Sequence, residues 1–221
     1  MQPILTYPRP IYTQYPKNAQ PNVYTSFTPM PKYPSIMTGS AIHPQSSVIG
    51  DVLIGRQVNV APFASIRADE GTPIYIGDGT NVQDGVIIHG LKDGKVKHQN
   101  QEYSVFIGEN TSLAHQAQIH GPAKIGNNVF AGMQSFVFKS EIGDNVVIEP
   151  TAKVIGVKVP SNRYIPAGEI IKTQEQANNL PIIDENYSNK DLNHEVVEVN
   201  KEFAQAYPAN YYFTPVTHYF N

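Results

Sequence analysis

An apolar residue recurs at every sixth position through much of this chain, and this spacing limits the possible folds more than any other feature of the sequence. Ile42, Val48, Ile54, Val60 and Ile66 establish the period. A period of six matches neither the 3.6-residue repeat of a helix nor the two-residue alternation of a strand. It is typical of hexapeptide repeats, in which each unit forms one short parallel strand and a turn. We therefore predict a mainly β fold, a left-handed parallel β-helix with three units to each coil.

The same spacing continues beyond these first units, with two polar interruptions and one slip of a single residue between Val137 and Ile142. Apolar residues carry it on at Ile76, Val82, Ile88, Ile107, Leu113, Ile119, Ile125, Ala131, Val137, Ile142, Ile148 and Val154. Gly follows several of them, as in Ile107-Gly108 and Ile125-Gly126, where we expect turns that need unusual backbone angles. The interruptions fall at residues 69–73 and 91–104, and insertions into a solenoid project as loops that often lie on its functional face.

Composition divides the chain into three parts. Residues 1–40 are rich in Pro and Tyr, and the repeated X-Pro pairs favour extended conformations, so this part is predicted to be an N-terminal arm. Residues 41–170 are predicted to form the β-helix, which would be the catalytic domain. Residues 171–221 form a C-terminal segment with predicted helices at 173–177 and at about 193–207. We expect the longer helix to pack along the β-helix through Val196, Val197, Phe203 and Ala204.

Composition also excludes several classes of function. The net charge of −3 and the scattered lysines argue against nucleic acid as a partner. The chain has no cysteine, so a metal ion would have to be bound by His, Asp or Glu. No apolar run is long enough for a membrane span or a signal-peptide core, which predicts a cytoplasmic protein without membrane contact. The aromatic residues at the C-terminus are predicted to pack against their own subunit or against a neighbour.

Two histidines occupy the same position in their repeats. His89 follows Ile88 and His120 follows Ile119, one residue after the apolar position in each case. If the segment 91–104 replaces one ordinary turn, three strands separate them, which is one complete coil. His89 and His120 would then be stacked on adjacent strands of one sheet, at a backbone spacing of about 4.8 Å, where one metal ion can bind both rings.

His115 cannot join this pair within one chain, because it comes two residues after Leu113 and belongs to another strand of the coil. The simplest complete site combines the His89–His120 pair with His115 of a neighbouring subunit, which predicts a metal at the interface of a closed ring. Three neutral histidines with an open position form a catalytic zinc site, where the pKa of bound water falls to about 7. Fe²⁺ or Co²⁺ would also be accepted. Taken singly, each histidine is equally well explained as a polar surface residue.

Several longer motifs resemble those of the gamma-class carbonic anhydrases, which include the anhydrase domains of carboxysomal shell-organising proteins. The resemblance runs from about Ile42 to Asn200 and is carried by SIRADEG (65–71), NVQDGVIIHG (81–90), SLAHQAQIHGPAKIG (112–126), MQSFVFKS (133–140) and RYIPAG (163–168). It implies a homotrimeric enzyme that hydrates CO2 to bicarbonate and a proton through a zinc-bound hydroxide.

The resemblance also implies roles for individual residues. His89, His115 and His120 would bind zinc, with His115 supplied across the interface. Arg67 and Asp69 would form an intersubunit ion pair that orders the site and helps to place bicarbonate; breaking such a pair from one side is costly.

Four further residues would complete the site. Gln83 would orient the zinc-bound hydroxide, and Asp84 would bond to neighbouring groups. Glu70 would accept or pass a proton beside the metal. Asn200, from the C-terminal helix, would help to orient CO2 or bicarbonate.

The sequence departs from the archaeal members of the family where the proton leaves the site. Lys92 stands where they have a loop glutamate that shuttles protons, the acidic loop is shortened, and Glu198 replaces a tyrosine. Turnover is therefore expected to depend more strongly on buffer, unless Asp93, His98 or Glu198 takes the shuttle role.

Two other functions are consistent with parts of the sequence. A scaffold protein with an inactive site would explain the missing shuttle, although the chain has none of the Rubisco-binding repeats of the carboxysomal relatives. A hexapeptide acyltransferase would use one histidine as a base, but it leaves two of the three ligand positions unexplained.

Overall fold

Three parallel sheets form the walls of a β-helix in the computed structural model, which describes residues 18–210 and, of these, the side chains up to 207. Strands and helices are numbered in chain order. Sheet 1 contains β1 (Ala19–Gln20), β4 (Ser47–Gly50), β7 (Ser65–Ala68), β10 (Ile87–Gly90), β15 (Gln118–Gly121), β18 (Phe136–Phe138), β21 (Lys153–Ile155) and β24 (Ile170–Ile171). Sheet 2 contains β2 (Ser35–Ile36), β5 (Val52–Ile54), β8 (Ile74–Ile76), β13 (Val105–Ile107), β16 (Ala123–Ile125), β19 (Glu141–Ile142) and β22 (Lys158–Val159).

Sheet 3 closes each coil, and the chain visits the sheets in rotation. It contains β3 (Ala41–Ile42), β6 (Asn59–Val60), β9 (Asn81–Val82), β14 (Ser112–Leu113), β17 (Phe130–Ala131), β20 (Val147–Ile148) and β23 (Tyr164–Ile165). Every residue that sets the six-residue period is buried, and together these residues form one continuous core. The predicted fold class, a left-handed parallel β-helix of hexapeptide repeats with a C-terminal helix alongside, is confirmed.

The glycines that follow the apolar positions serve a different purpose from the one predicted. Gly108 and Gly126 do not adopt the left-handed backbone conformation; they lie where successive coils touch. A Cβ on Gly108 would come within 2.5 Å of Oδ1 of Asn127 and 2.7 Å of the backbone of Gly126. The expectation of unusual backbone angles was wrong for these glycines, because the constraint is the space between coils.

The β-helix begins inside the segment that was interpreted as an arm. Ala19 is buried and pairs with Val48, and Ile36 pairs with Ile54, so residues 18–40 contribute strands to sheets 1 and 2. The extended conformations favoured by X-Pro pairs suit an edge strand as well as a free arm. The remainder of the predicted arm, residues 1–17, lies outside the described residues, as does the aromatic C-terminus.

Two helices follow the last coil. Helix α1 (Gln174–Asn178) begins with a capping box between Thr173 and Gln176. Helix α2 (Leu192–Asn210) returns along sheet 3 and packs against β3, β6, β9 and β14. Val197 and Ala204 are the buried apolar residues on its inner face, whereas Phe203 is 43% exposed, so the predicted apolar stripe was wrong for Phe203. None of the helices in the described part of the chain is long and apolar enough to cross a bilayer.

The polar segment 91–104 folds back as a hairpin of β11 (Val96–His98) and β12 (Gln101–Tyr103). Val96 and Tyr103 pack against Phe106 and Tyr75 on the outer surface of sheet 2. The segment does replace one ordinary turn, since β13, the strand that follows it, pairs directly with β8, the strand of sheet 2 one coil earlier. The hairpin therefore leaves the spacing of the coils intact.

Candidate metal centre

His89 and His120 lie directly opposite each other on the adjacent strands β10 and β15, as the spacing predicts. Ile88 and Ile119 point into the core, so the rings of the residues that follow them, His89 and His120, lie on the outside of the β-helix. Nδ1 of His89 lies 3.4 Å from Nε2 of His120. Two ligands at the usual Zn–N distance in tetrahedral geometry are about 3.3 Å apart, so this separation suits a single metal ion.

The other nitrogen of each ring contacts an acceptor. Nε2 of His89 lies 3.1 Å from Oδ1 of Asp69, and Nδ1 of His120 lies 3.1 Å from the carbonyl oxygen of Gly121. A carboxylate and a carbonyl can only accept hydrogen bonds, so the N–H group of each neutral ring is on that side. In the tautomers that satisfy these two acceptors, the nitrogens that face each other both carry lone pairs, as metal ligation requires.

An ion pair supports the first histidine. Nη1 of Arg67 donates to Oδ2 of Asp69 at 2.6 Å, while the other carboxylate oxygen accepts from His89. This contact forms within one chain, between side chains only two residues apart in sequence. A pairing of Arg67 with Asp69 between subunits stays a prediction. Arg67 is also the direct neighbour of His89 in sheet 1.

Burial lowers the pKa of His89, and the positive charge of Arg67 lowers it further, while Asp69 acts in the opposite direction. The net effect favours the neutral ring at physiological pH. A neutral imidazole is the form that binds a metal, so the surroundings of His89 prepare it for ligation.

Glycines allow the two histidine strands to end at a tight corner. A Cβ on Gly90 would come within 1.8 Å of Oγ of Ser104, and a Cβ on Gly121 within 2.3 Å of its carbonyl oxygen. Ser104 itself is completely buried. The chain after each histidine therefore turns inward around Ser104, which fixes where β10 and β15 end.

His115 lies on a different surface, in the turn that follows β14. Its Nδ1 is 3.1 Å from Oδ2 of Asp84, and its side chain is 57% exposed. Asp84 occupies the equivalent position after β9, one coil earlier, which explains why the two residues meet.

A chain of amide hydrogen bonds runs beneath this surface. Nε2 of Gln83 donates to Oδ1 of Asn81, and Nδ2 of Asn81 donates to Oγ of Ser112, both at 2.9 Å. Asn200 of helix α2 accepts a hydrogen bond from Nδ2 of Asn59, also at 2.9 Å. All of these residues are buried, so their amide groups hold fixed orientations.

Asn59, Gln83 and Asn200 border a cleft between sheet 3 and helix α2. Its volume is about 450 Å³. Its lining comprises Asn59, Ala61, Pro62, Gln83, Asp84, His115, Glu195, Val196, Val199, Asn200, Phe203 and Tyr207.

The predicted site residues thus form two groups within one chain. Arg67, Asp69 and Glu70 accompany the His89–His120 pair; Oε2 of Glu70 lies 3.9 Å from Nε2 of His89, and its Oε1 accepts from the backbone of Lys92. The cleft holds Gln83, Asp84, His115 and Asn200. Among residues 18–210, no set of three or more His, Asp or Glu side chains is arranged to hold a metal.

Sequence reasoning missed two polar residues of the cleft, Asn59 and Glu195, and a third, Asn81, that is hydrogen-bonded to Gln83 of the cleft. Asn59 and Asn81 each precede an apolar position of sheet 3, and this shared position was a usable signal for a buried polar row. Glu195, in the first turn of α2, also lines the cleft, but no repeat marks it, since it lies outside the β-helix.

The surroundings of the suggested proton shuttles differ from one another. His98 stacks on Phe106 over sheet 2, with ring centroids 3.9 Å apart. Glu198 forms an ion pair with Lys201 and lines a second cleft on the other side of α2. Asp93 is 85% exposed and pairs with Lys92.

Among solved structures with a similar fold, a hexapeptide transferase family protein from Anaplasma phagocytophilum superposes with a TM-score of 0.62 at 21% identity, covering 80% of this chain and 93% of that one. A putative acetyltransferase from Bacillus cereus superposes with a TM-score of 0.67, covering 87% of this chain and 99% of that one at 22% identity. This likeness concerns the fold alone. No protein-family model matches the chain.

Proteins related in sequence give information about the family as well as about the fold. A carbonic anhydrase of Methanosarcina thermophila is 47% identical over 200 residues, which cover 86% of this chain and 81% of that protein. The carboxysome assembly protein CcmM of a Nostoc species is also 47% identical, over 75% of this chain but only 30% of its own length. The chain belongs to the gamma-class carbonic anhydrases.

Proposed function

We propose that the protein catalyses the reversible hydration of CO2 to bicarbonate and a proton, at a metal site shared between subunits of a homotrimer. The observation that carries the proposal is the facing pair of ring nitrogens of His89 and His120, 3.4 Å apart. In the tautomers set by their outer partners, both facing nitrogens carry lone pairs, and a cation between them would be bound by both. The family relationship to a carbonic anhydrase supports the same conclusion.

The donor set fits zinc. Neutral imidazoles with their outer nitrogens bonded to a carboxylate and a carbonyl are the usual surroundings of a zinc-binding histidine, and Fe²⁺ or Co²⁺ could occupy the same site. When bound to three histidines, Zn²⁺ lowers the pKa of a water in its open position to about 7, which supplies a nucleophile for CO2 at neutral pH.

A neighbouring subunit would provide the third ligand. His115 is 57% exposed and lies on a different face from the pair, so it can reach a pair only on another copy of the chain. A ring of three copies repeats the same contact at each junction. The cleft beside His115 would then be closed by the histidine sheet of the neighbour.

Polar residues beside His115 and beside the His89–His120 pair would hold the reactants. In the cleft, Gln83 commits its Nε2 to Asn81, which leaves its Oε1 to accept a hydrogen bond from the reacting water. Asn200 would orient CO2 or bicarbonate with its amide. Asp84 holds the ring of His115.

Beside the His89–His120 pair, Asp69 would keep His89 in the tautomer that binds a metal. Arg67 holds Asp69 in place and would add a positive charge that favours bicarbonate. Glu70, close to His89, would accept or pass a proton.

Stopped-flow CO2 hydration on protein of known metal content tests the proposal. We expect metal-dependent activity that falls by more than about 100-fold in His115→Ala, because loss even of an outer partner of a ligand costs about 10- to 100-fold. His194→Ala is the matched control, since this histidine lines the second cleft. Full metal occupancy without hydration would contradict the proposal and favour a scaffold role.

A further inference from the structure

Glu195 places a carboxylate in the wall of the cleft that contains His115. It lies in the first turn of α2, five residues before Asn200, and its side chain is exposed. No hydrogen bond or ion pair of its carboxylate occurs among the residues that the structure describes. A carboxylate near the N-terminus of a helix stabilises that helix, but this role does not require a position in the cleft.

Other groups that could release a proton to solvent are engaged elsewhere. Asp93 is paired with Lys92, and Glu198 is paired with Lys201 in the second cleft. His98 is stacked on the hairpin side of sheet 2. Glu70 lies beside His89, where it would pass a proton within the site, and its Oε1 is held there by the backbone of Lys92.

We propose that Glu195 is the group that passes the proton from the site to buffer in solution. The inference rests on the proposed function, because it assigns the last step of CO2 hydration. The cleft supplies the path, because Glu195 borders it together with Gln83 and His115, and the side chain of Glu195 is exposed in the single chain.

The step balances without a further reactant. CO2 and water give bicarbonate and one proton. The proton forms an O–H bond with a carboxylate oxygen of Glu195, and this bond then breaks as a buffer base takes the proton. The carboxylate is restored, and no electron is transferred.

Buffer dependence distinguishes this role from a structural one. In weak buffer we expect kcat of Glu195→Gln to fall by about ten-fold or more, because a positioned acid–base group contributes at least that much. The value of kcat/KM should stay near that of the unchanged protein, since it reports steps before the proton leaves. A high concentration of imidazole should restore kcat. Glu198→Gln is the matched control and should behave like the unchanged protein under both conditions.

The position of the Glu195 carboxyl group relative to the bound metal can be measured independently of activity. In protein loaded with Co²⁺ and labelled with ¹³C at the glutamate carboxyl groups, we expect the Glu195 signal to relax much faster than that of Glu198, relative to the Zn²⁺-loaded reference. Each signal is assigned by its loss in the corresponding Gln variant.

Equal relaxation of the two signals would overturn the inference, as would a Glu195→Gln protein with unchanged kcat in weak buffer or a loss that imidazole does not rescue. Failure of the proposed function is distinguishable, because the unchanged protein would then bind no metal or hydrate no CO2.

Discussion

A mixture of two inactive variants should regain activity if each site combines two chains. His89→Ala removes one ligand of the pair but keeps His115, and His115→Ala does the reverse. Each variant alone should lose more than about 100-fold in activity, as argued from the cost of disturbing zinc ligands. Both side chains are outside the core, so neither change should unfold the β-helix.

The activity expected of a mixed ring follows from the arrangement of its three chains. At each junction the pair comes from one chain and His115 from the next. A mixed ring of three, whichever variant is in the majority, contains a single junction at which an intact pair meets an intact His115. Such a ring should therefore show about one third of the full activity and bind about one tightly held metal ion.

The assay uses coexpressed variants that carry two different affinity tags. Purification on both tags isolates mixed rings, and stopped-flow hydration is compared with a doubly tagged, unmutated ring. Native mass spectrometry reports the ring size, since a dimer would give about one half. Absence of both activity and metal in mixed rings, with an active unmutated control, would refute a site shared between chains.

Two predictions concern parts of the fold away from the metal. Burial lowers the pKa of His98, and Lys124 lowers it further while Asp144 raises it, so its NMR titration midpoint should lie below 6.5 and rise in Lys124→Ala. Because the folded-state pKa is lowered, the contribution of neutral His98 to stability is complete above pH 6.5 and is lost as pH falls below it; an unshifted midpoint would contradict this. Tyr187 donates a hydrogen bond of 2.8 Å to Glu149, and Tyr187→Phe should reduce the free energy of unfolding by about 1.5 kcal/mol, measured by urea denaturation. An unchanged urea midpoint would show that solvent replaces this bond.

The repeat made the β-helix and the pairing of His89 with His120 predictable, because a six-residue period fixes both the direction and the register of every strand. One apolar side chain per unit must point inward, so the residue after it must point outward. The register of the pair then depended only on whether the segment 91–104 counted as a single turn.

Other features could not be read from the period, since they depend on packing between distant segments. Ala19 joins the first coil through pairing with Val48, although the surrounding Pro-rich sequence equally suits a free arm. The ion pair of Arg67 with Asp69 lies within one chain, a local contact that the family resemblance did not imply. Glu195 reaches the cleft only because α2 turns back along sheet 3.

The return of helix α2 has a consequence for the order in which the site is made. A ribosome synthesises the coils that carry all three histidines before it reaches α2. Asn200 must then travel back to Asn59, a residue made 141 positions earlier. A nascent chain can therefore present its metal ligands while one wall of the cleft has yet to be synthesised. Completion of the cleft is a late event of biosynthesis, and a chain that stops short of α2 would retain the histidines without Glu195 and Asn200.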